Sequence, residues 1–149
     1  GDGQHPANEV LKLVEEAKKT PVDLLIGSRF LISNGHYRST WVRRLGKHVL
    51  SLTGLLVTGR RLSDPTSGLR VASARLVAEF AKSYPSDYPE PESALWAISR
   101  GFRVVAVPPT MRARLAGHSS IGLLPRVYYL VKVPLAILIR ALSPQWGHR

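Results

Sequence analysis

Apolar residues recur at helical spacing between Ala7 and Lys19, at Val10, Leu13, Val14 and Ala17, with Glu15, Glu16, Lys18 and Lys19 on the opposite side. Thr20-Pro21 ends that pattern, because the residue before a proline is pushed out of the helical region. The run Leu24-Leu25-Ile26, within Asp23 to Phe30, then predicts a short buried strand. A second helix is expected from Thr40 to Thr58, with Thr40 as N-cap and Gly59 as its stop. Its stripe of Trp41, Leu45, Val49, Leu52 and Leu56 is expected to face the core. Ser73 predicts the cap of a third helix running to about Ser83, with Leu76, Val77 and Phe80 inward. A fourth follows from Pro91 to Arg100, ended by Gly101, and Phe102 to Pro108 reads as another strand. Helices alternating with short buried strands predict an α/β fold with a parallel sheet.

The stretch from Leu123 to Leu142 is apolar but interrupted by Arg126, Lys132 and Arg140 and by Pro125 and Pro134. A spanning helix needs about twenty apolar residues with few charges, and the uninterrupted run Val133 to Ile139 falls well short. The expectation is a kinked helix lying in a membrane interface, with Tyr128 and Tyr129 at headgroup level. The alternative is a helix buried against a missing half or a partner chain. The chain thus divides into residues 1–122 and an apolar, basic tail, 123–149.

Composition adds one strong fact. The 149 residues are 44% hydrophobic and 21% charged, ordinary for a folded domain, but the net charge is +11. Every acid lies at or before Glu92, and from Leu24 to Ser63 there is none. Such one-sided charge attracts polyanions: nucleic acid, nucleotide phosphates or an anionic membrane face. The absence of cysteine excludes disulfides, zinc–thiolate sites and a thiol nucleophile, and fits a reducing compartment. No basic segment followed by an apolar run opens the chain, so no signal peptide is expected within it.

Four stretches carry candidate chemistry. Asp2-Gly3-Gln4-His5-Pro6 offers charged and neutral oxygens of the kind that magnesium or manganese prefers, although the same residues would serve as a solvated helix start. Gly27-Ser28-Arg29 sits at the C-terminal end of the first strand, where ligands bind in open α/β sheets. Asp64-Pro65-Thr66-Ser67-Gly68, followed by Leu69-Arg70, is a tight polar loop in which Gly68 permits close backbone approach. Arg112 and Arg114 lie beside Gly117, Ser119 and Ser120, and guanidinium forks suit phosphate oxygens. Glu92, in a first helical turn, either compensates the helix dipole or serves a site.

Together these stretches resemble family 2 glycosyltransferases, in the branch of the dolichyl- and polyprenyl-phosphate sugar synthases. Asp2 to Pro6 is similar to the end of that family's Asp-x-Asp-Gly-Gln-His-Pro signature, with Gly1 at its middle position. Asp64 to Arg70 resembles Asp-Pro-Thr-Ser-Gly-Phe-Arg, with Leu69 for Phe. Tyr88-Pro89-Glu90-Pro91-Glu92 looks like the same subfamily, and Arg114 to Ile121 resembles its Arg-x-x-Gly-x-Ser-Ser-Ile loop. Ala106, Ala116 and His118 depart from the pattern.

The resemblance implies the C-terminal half of a GT-A catalytic domain over residues 1–122, starting within the metal signature, whose first Asp would stand just before Gly1, with the nucleotide-binding half missing. It implies Asp2 and Gln4 as ligands of Mg2+ or Mn2+, and Asp64, Arg29 and Arg114 as catalytic. Substrate contacts would come from Gln4, Ser28, Arg43, Ser67, Gly68, Arg70, Glu92, Arg112, Gly117, Ser119 and Ser120. The implied reaction is inverting transfer of a sugar from a nucleotide-diphospho-sugar to a polyprenyl-phosphate-like or glycan acceptor, with the fragment inactive alone. The implied place is the cytoplasmic face of a membrane, held peripherally. Two other classes stand beside this: a basic nucleic-acid-binding module, and a non-catalytic membrane-associated remnant. No nucleic-acid motif is present, and the basic residues share loops with Gly and Ser rather than with stacking aromatics, so no nucleic acid is expected as partner.

Overall fold

The computed structural model describes residues 7–28, 41–108, 123–143 and 146. Its elements run α1 (Ala7–Lys19), β1 (Leu24–Gly27), α2 (Trp41–Thr58), β2 (Arg70–Ala72), α3 (Ala74–Lys82), α4 (Pro89–Ser99), β3 (Val104–Val107) and α5 (Leu123–Ala141). Among the described residues the fold is mixed α/β, with five helices and a small sheet in the order β2-β1-β3. β1 is buried along its whole length, as its apolar run requires. It pairs in parallel with β3, Ile26 opposite Ala106, and antiparallel with β2, Leu25 opposite Val71. The two expected strands, β1 and β3, thus pair in parallel as predicted, and β2, not expected from the sequence, adds an antiparallel edge that makes the sheet mixed. The loop after α2 turns the chain back so that Arg70–Ala72 runs alongside β1. Three residues of mixed polarity are too few to show a strand period.

α2 carries the largest correction. Trp41, Leu45, Leu52 and Leu56 do not face the core; all four are exposed, Trp41 and Leu56 at 70%. The opposite face, with Gly46, Leu50, Thr53 and Gly54, is the one that is buried. Glycine decides the orientation. A Cβ on Gly46 would stand 2.8 Å from Leu130 of α5, and one on Gly54 2.8 Å from Leu95 of α4. The two gaps let neighbouring helices approach closely, which the bulkier stripe could not. Thr53 satisfies its buried hydroxyl by donating to the Val49 carbonyl at 2.9 Å. The helix ends as expected, with Gly59 at a positive φ of 71°; Thr40 lies outside the described residues.

The remaining helices close the core. In α1, Leu13 is buried, whereas Val10 is exposed and Glu9 buried, bridged to Lys12 at 3.2 Å. Ser73 caps α3 by accepting from the Leu76 N–H at 3.2 Å. Leu76 is fully buried but Val77, expected inward, is exposed. α4 starts two residues before its predicted bound, with Pro89 at its first position. Its Trp96 stacks on Phe102 with ring centroids 6.3 Å apart and meets Phe80 at 5.7 Å. α5 inserts Val133 and Ile137, both fully buried, into the same cluster as Leu24, Ile26, Leu50 and Leu95. Among the described residues no helix is long and apolar enough to cross a membrane.

Candidate functional site at the C-terminal end of strand β1

The polar loop between α2 and β2 is stitched to the end of β1. Ser67 Oγ donates to the Gly27 carbonyl at 2.6 Å, and the Gly27 N–H donates to the Leu69 carbonyl at 2.9 Å. Glycine at 27 leaves room for the Leu69 side chain, whose tip would have to move from 2.8 Å if a Cβ were added. On the other side, the Ser28 N–H donates to the Val107 carbonyl at 2.7 Å, so the loop residue just before β2 and the end of β3 both hold this end of β1. The Ser28 hydroxyl is fully buried and has no hydrogen-bond partner among the described residues. A buried hydroxyl left unpaired costs stability, so one at a sheet end is a candidate ligand contact.

Asp64 is buried at the start of the loop, and Thr66 Oγ1 donates to its Oδ1 at 3.1 Å. Arg70 fixes the loop from below with all three guanidinium nitrogens. Nε donates to the Ser67 carbonyl at 2.6 Å, Nη2 to the Pro65 carbonyl at 2.8 Å and Nη1 to Ser93 Oγ at 2.9 Å. Burial lowers the Arg70 pKa, and the charges of Tyr84, Glu90 and Asp64 pull it back; arginine stays cationic regardless. Ser93 passes the anchor on to the first turn of α4 by donating to the Pro89 carbonyl. Arg70, expected to touch substrate, thus spends its fork on shaping the loop. Gly68 is exposed, and a Cβ there would meet nothing within 4 Å, so no contact within the described fold requires glycine.

Glu92 is given to a different contact. It is fully buried, and its Oε2 accepts from Arg140 Nη1 of α5 at 2.6 Å. Burial raises its pKa, with Arg140 opposing and Asp87 adding to the rise. Glu92 lies in the first turn of α4, as expected, and there it is the polar link between α4 and α5.

Of the expected site, Ser28, Asp64, Ser67, Gly68 and Arg70 are brought to one end of the sheet. Arg43 lies in the first turn of α2, its side chain outside the described residues. Asp2, Gln4, Arg29, Arg112, Arg114, Gly117, Ser119 and Ser120 also lie outside them. The donors of Asp2 and Gln4 are hard oxygens, which suit a divalent cation. Among the described residues no group of three or more His, Cys, Asp or Glu gathers into a metal site. Sequence reasoning missed Ser93 and Arg140, neither of which belongs to a recognisable motif.

The chain is similar to an uncharacterized protein of Methanocaldococcus jannaschii, 29% identical over 109 residues, covering 72% of this chain and 45% of that protein. The chain therefore spans less than half the length of this relative. No protein-family model matches the chain, and no solved structure matches it.

Proposed function

We propose that this chain carries the acceptor side of a family 2 glycosyltransferase site. The reaction is transfer of a sugar from a nucleotide-diphospho-sugar to a polyprenyl-phosphate-like acceptor. The observation that carries the reading is the Ser67-to-Gly27 hydrogen bond of 2.6 Å, which fixes the Asp64 loop against the strand end that holds Ser28. Two motifs matched separately along the sequence thereby meet at the sheet position where α/β folds bind ligands.

In this reading Ser28 donates to the bound donor, and the open space beside Gly68 admits the acceptor. Arg29, Arg112 and Arg114 supply positive charge to the diphosphate. A magnesium or manganese ion held by Asp2 and Gln4 would, when bound, act as a Lewis acid on that diphosphate. An acceptor phosphate oxygen forms the new bond to the anomeric carbon from the face opposite the diphosphate. The old carbon–oxygen bond breaks with its electron pair leaving on the nucleoside diphosphate, which gives inversion. A phosphate monoester, with a second pKa of about 6, is already anionic at neutral pH. Asp64 therefore orients the acceptor and takes no proton.

The test is an assay of labelled sugar transfer. The chain, alone and with a nucleotide-binding N-terminal half, is incubated with labelled nucleotide-sugars, Mg2+ or Mn2+ and polyprenyl phosphate. Labelled lipid is expected, and Asp64→Asn is expected to lower its rate about a hundredfold by misplacing the acceptor. No labelled lipid in any combination would overturn the reading.

A further inference from the structure

We propose that the pocket where α3, α4 and α5 come together binds a small carboxylate, held between the Arg140 guanidinium and the Trp146 indole N–H. The site is separate from the strand end at Ser28, and its test needs no sugar transfer.

The pocket is lined by Ser83 and Pro85 after α3, Trp96 of α4, Arg140 of α5, and Ser143 and Trp146 just beyond it. Contacts outside the pocket fix its walls. The Trp146 carbonyl accepts from Ser99 Oγ at 3.1 Å, and the Trp146 backbone N–H donates to the Ser143 carbonyl at 3.1 Å. Ser143 Oγ donates in turn to the Arg140 carbonyl at 2.7 Å. Trp96 is held by Phe80 and Phe102. Trp146 is only 4% exposed, yet its Nε1 has no hydrogen-bond partner among the described residues. A buried indole N–H usually finds an acceptor, and leaving it without one costs stability. Arg140 gives Nη1 to Glu92 at 2.6 Å, but a guanidinium carries five N–H donors, so one carboxylate does not exhaust it.

Donor chemistry and size identify the ligand. Among the described residues no Asp or Glu lines the pocket. An indole N–H and a guanidinium donate and accept nothing, so the ligand has to bring acceptor oxygens. Arg100 sets a second cation against the same wall, its Cζ 5.2 Å from the centre of the Trp96 ring, which favours a negative charge. The cavity measures about 30 Å³. At roughly 10–15 Å³ for each water-sized atom, that accommodates the two oxygens of a carboxylate and falls short of the four of a phosphate. A planar carboxylate also matches the fork of an arginine. The apolar faces of Trp96 and Pro85 suit the carbon that carries it.

Of the three tryptophans, Trp41 is exposed, while Trp96 and Trp146 both line the pocket. The intact chain carrying Trp41→Phe therefore reports on the pocket through its own fluorescence. It is titrated with sodium acetate, sodium phosphate or sodium chloride at matched ionic strength. Acetate is expected to change the emission saturably and to raise the thermal midpoint, and the other two salts to do neither. Trp146→Phe in this background keeps an aromatic ring but deletes the N–H. It should weaken acetate binding about tenfold, read from Trp96, with the thermal midpoint in the absence of acetate unchanged or higher. Glu92→Gln leaves more of the Arg140 charge to the ligand and should tighten acetate binding about fivefold. No saturable response to acetate, as expected of a pocket that holds only water, overturns the proposal. So does an equal response to chloride or phosphate, acetate binding undiminished in Trp146→Phe, or acetate binding weakened by Glu92→Gln.

Discussion

At the N-terminal end of β1 the Asp23 carboxylate accepts from Arg75 Nη2 at 2.9 Å, from the Arg103 N–H at 2.9 Å and from Ser73 Oγ at 3.2 Å. At the C-terminal end, four residues beyond Leu24, the Ser28 hydroxyl is fully buried, more so than Asp23, and has no partner among the described residues. One end is saturated with internal hydrogen bonds, and the other keeps a polar group in reserve beside a loop braced by Arg70. The difference sets a part of the sheet whose polar groups are satisfied within the fold against one that leaves a buried hydroxyl unsatisfied. Stability and function often divide this way along one element, because groups committed inward are not available to a ligand.

The largest expected effect lies in the brace. Arg70→Ala removes donors to two backbone carbonyls and to Ser93, and should destabilise the fold by about 3 kcal/mol in urea denaturation. Arg70→Lys should restore little, because an ammonium cannot reproduce a planar fork aimed at three acceptors. A loss below 1 kcal/mol on that scale would mean that the loop holds itself.

At the saturated end, Asp23→Asn should cost about 1 kcal/mol. Burial opposes ionisation of Asp23, but the hydrogen bonds from Arg75, Arg103 and Ser73 outweigh it and hold the carboxyl below its usual range. Its contribution is therefore full above the ordinary aspartate range and fades as pH falls through the lowered value. The variant should flatten the acid side of a stability–pH profile. Glu92 has the opposite sign, its pKa being raised chiefly by burial. Its contribution is present below the ordinary glutamate range and is lost as pH rises through the raised value, so Glu92→Gln should flatten that decline instead.

The smallest effect on stability is expected at the open end. Ser28→Ala deletes a hydroxyl with no partner among the described residues, and its unfolding free energy should stay within about 0.5 kcal/mol of wild type or rise. Nucleotide-sugar binding, followed by calorimetry, should nevertheless weaken. A clear stability loss without a binding change would place Ser28 with Asp23 as a structural group.

Much of the fold was legible because its signals are local. The caps at Ser73 and Gly59, the buried run at Leu24 and the breaks at proline each depend on a few neighbouring residues. The face of α2 was not legible. Both of its sides are apolar enough to be core, and the choice fell to Gly46 and Gly54, whose partners Leu130 and Leu95 lie far along the chain. The candidate site divides in the same way. Its loop residues stood out as a motif, but that Arg70 faces inward, and that Glu92 meets Arg140, depends on contacts between distant elements.

Because Val133 and Ile137 fill the same interior as the sheet, α5 is no detachable appendage. A chain cut before Leu123 would lose part of its hydrophobic centre together with Arg140, the cation that faces Glu92. Proteolysis there should therefore lead to unfolding of the whole domain rather than to release of a shortened, intact one.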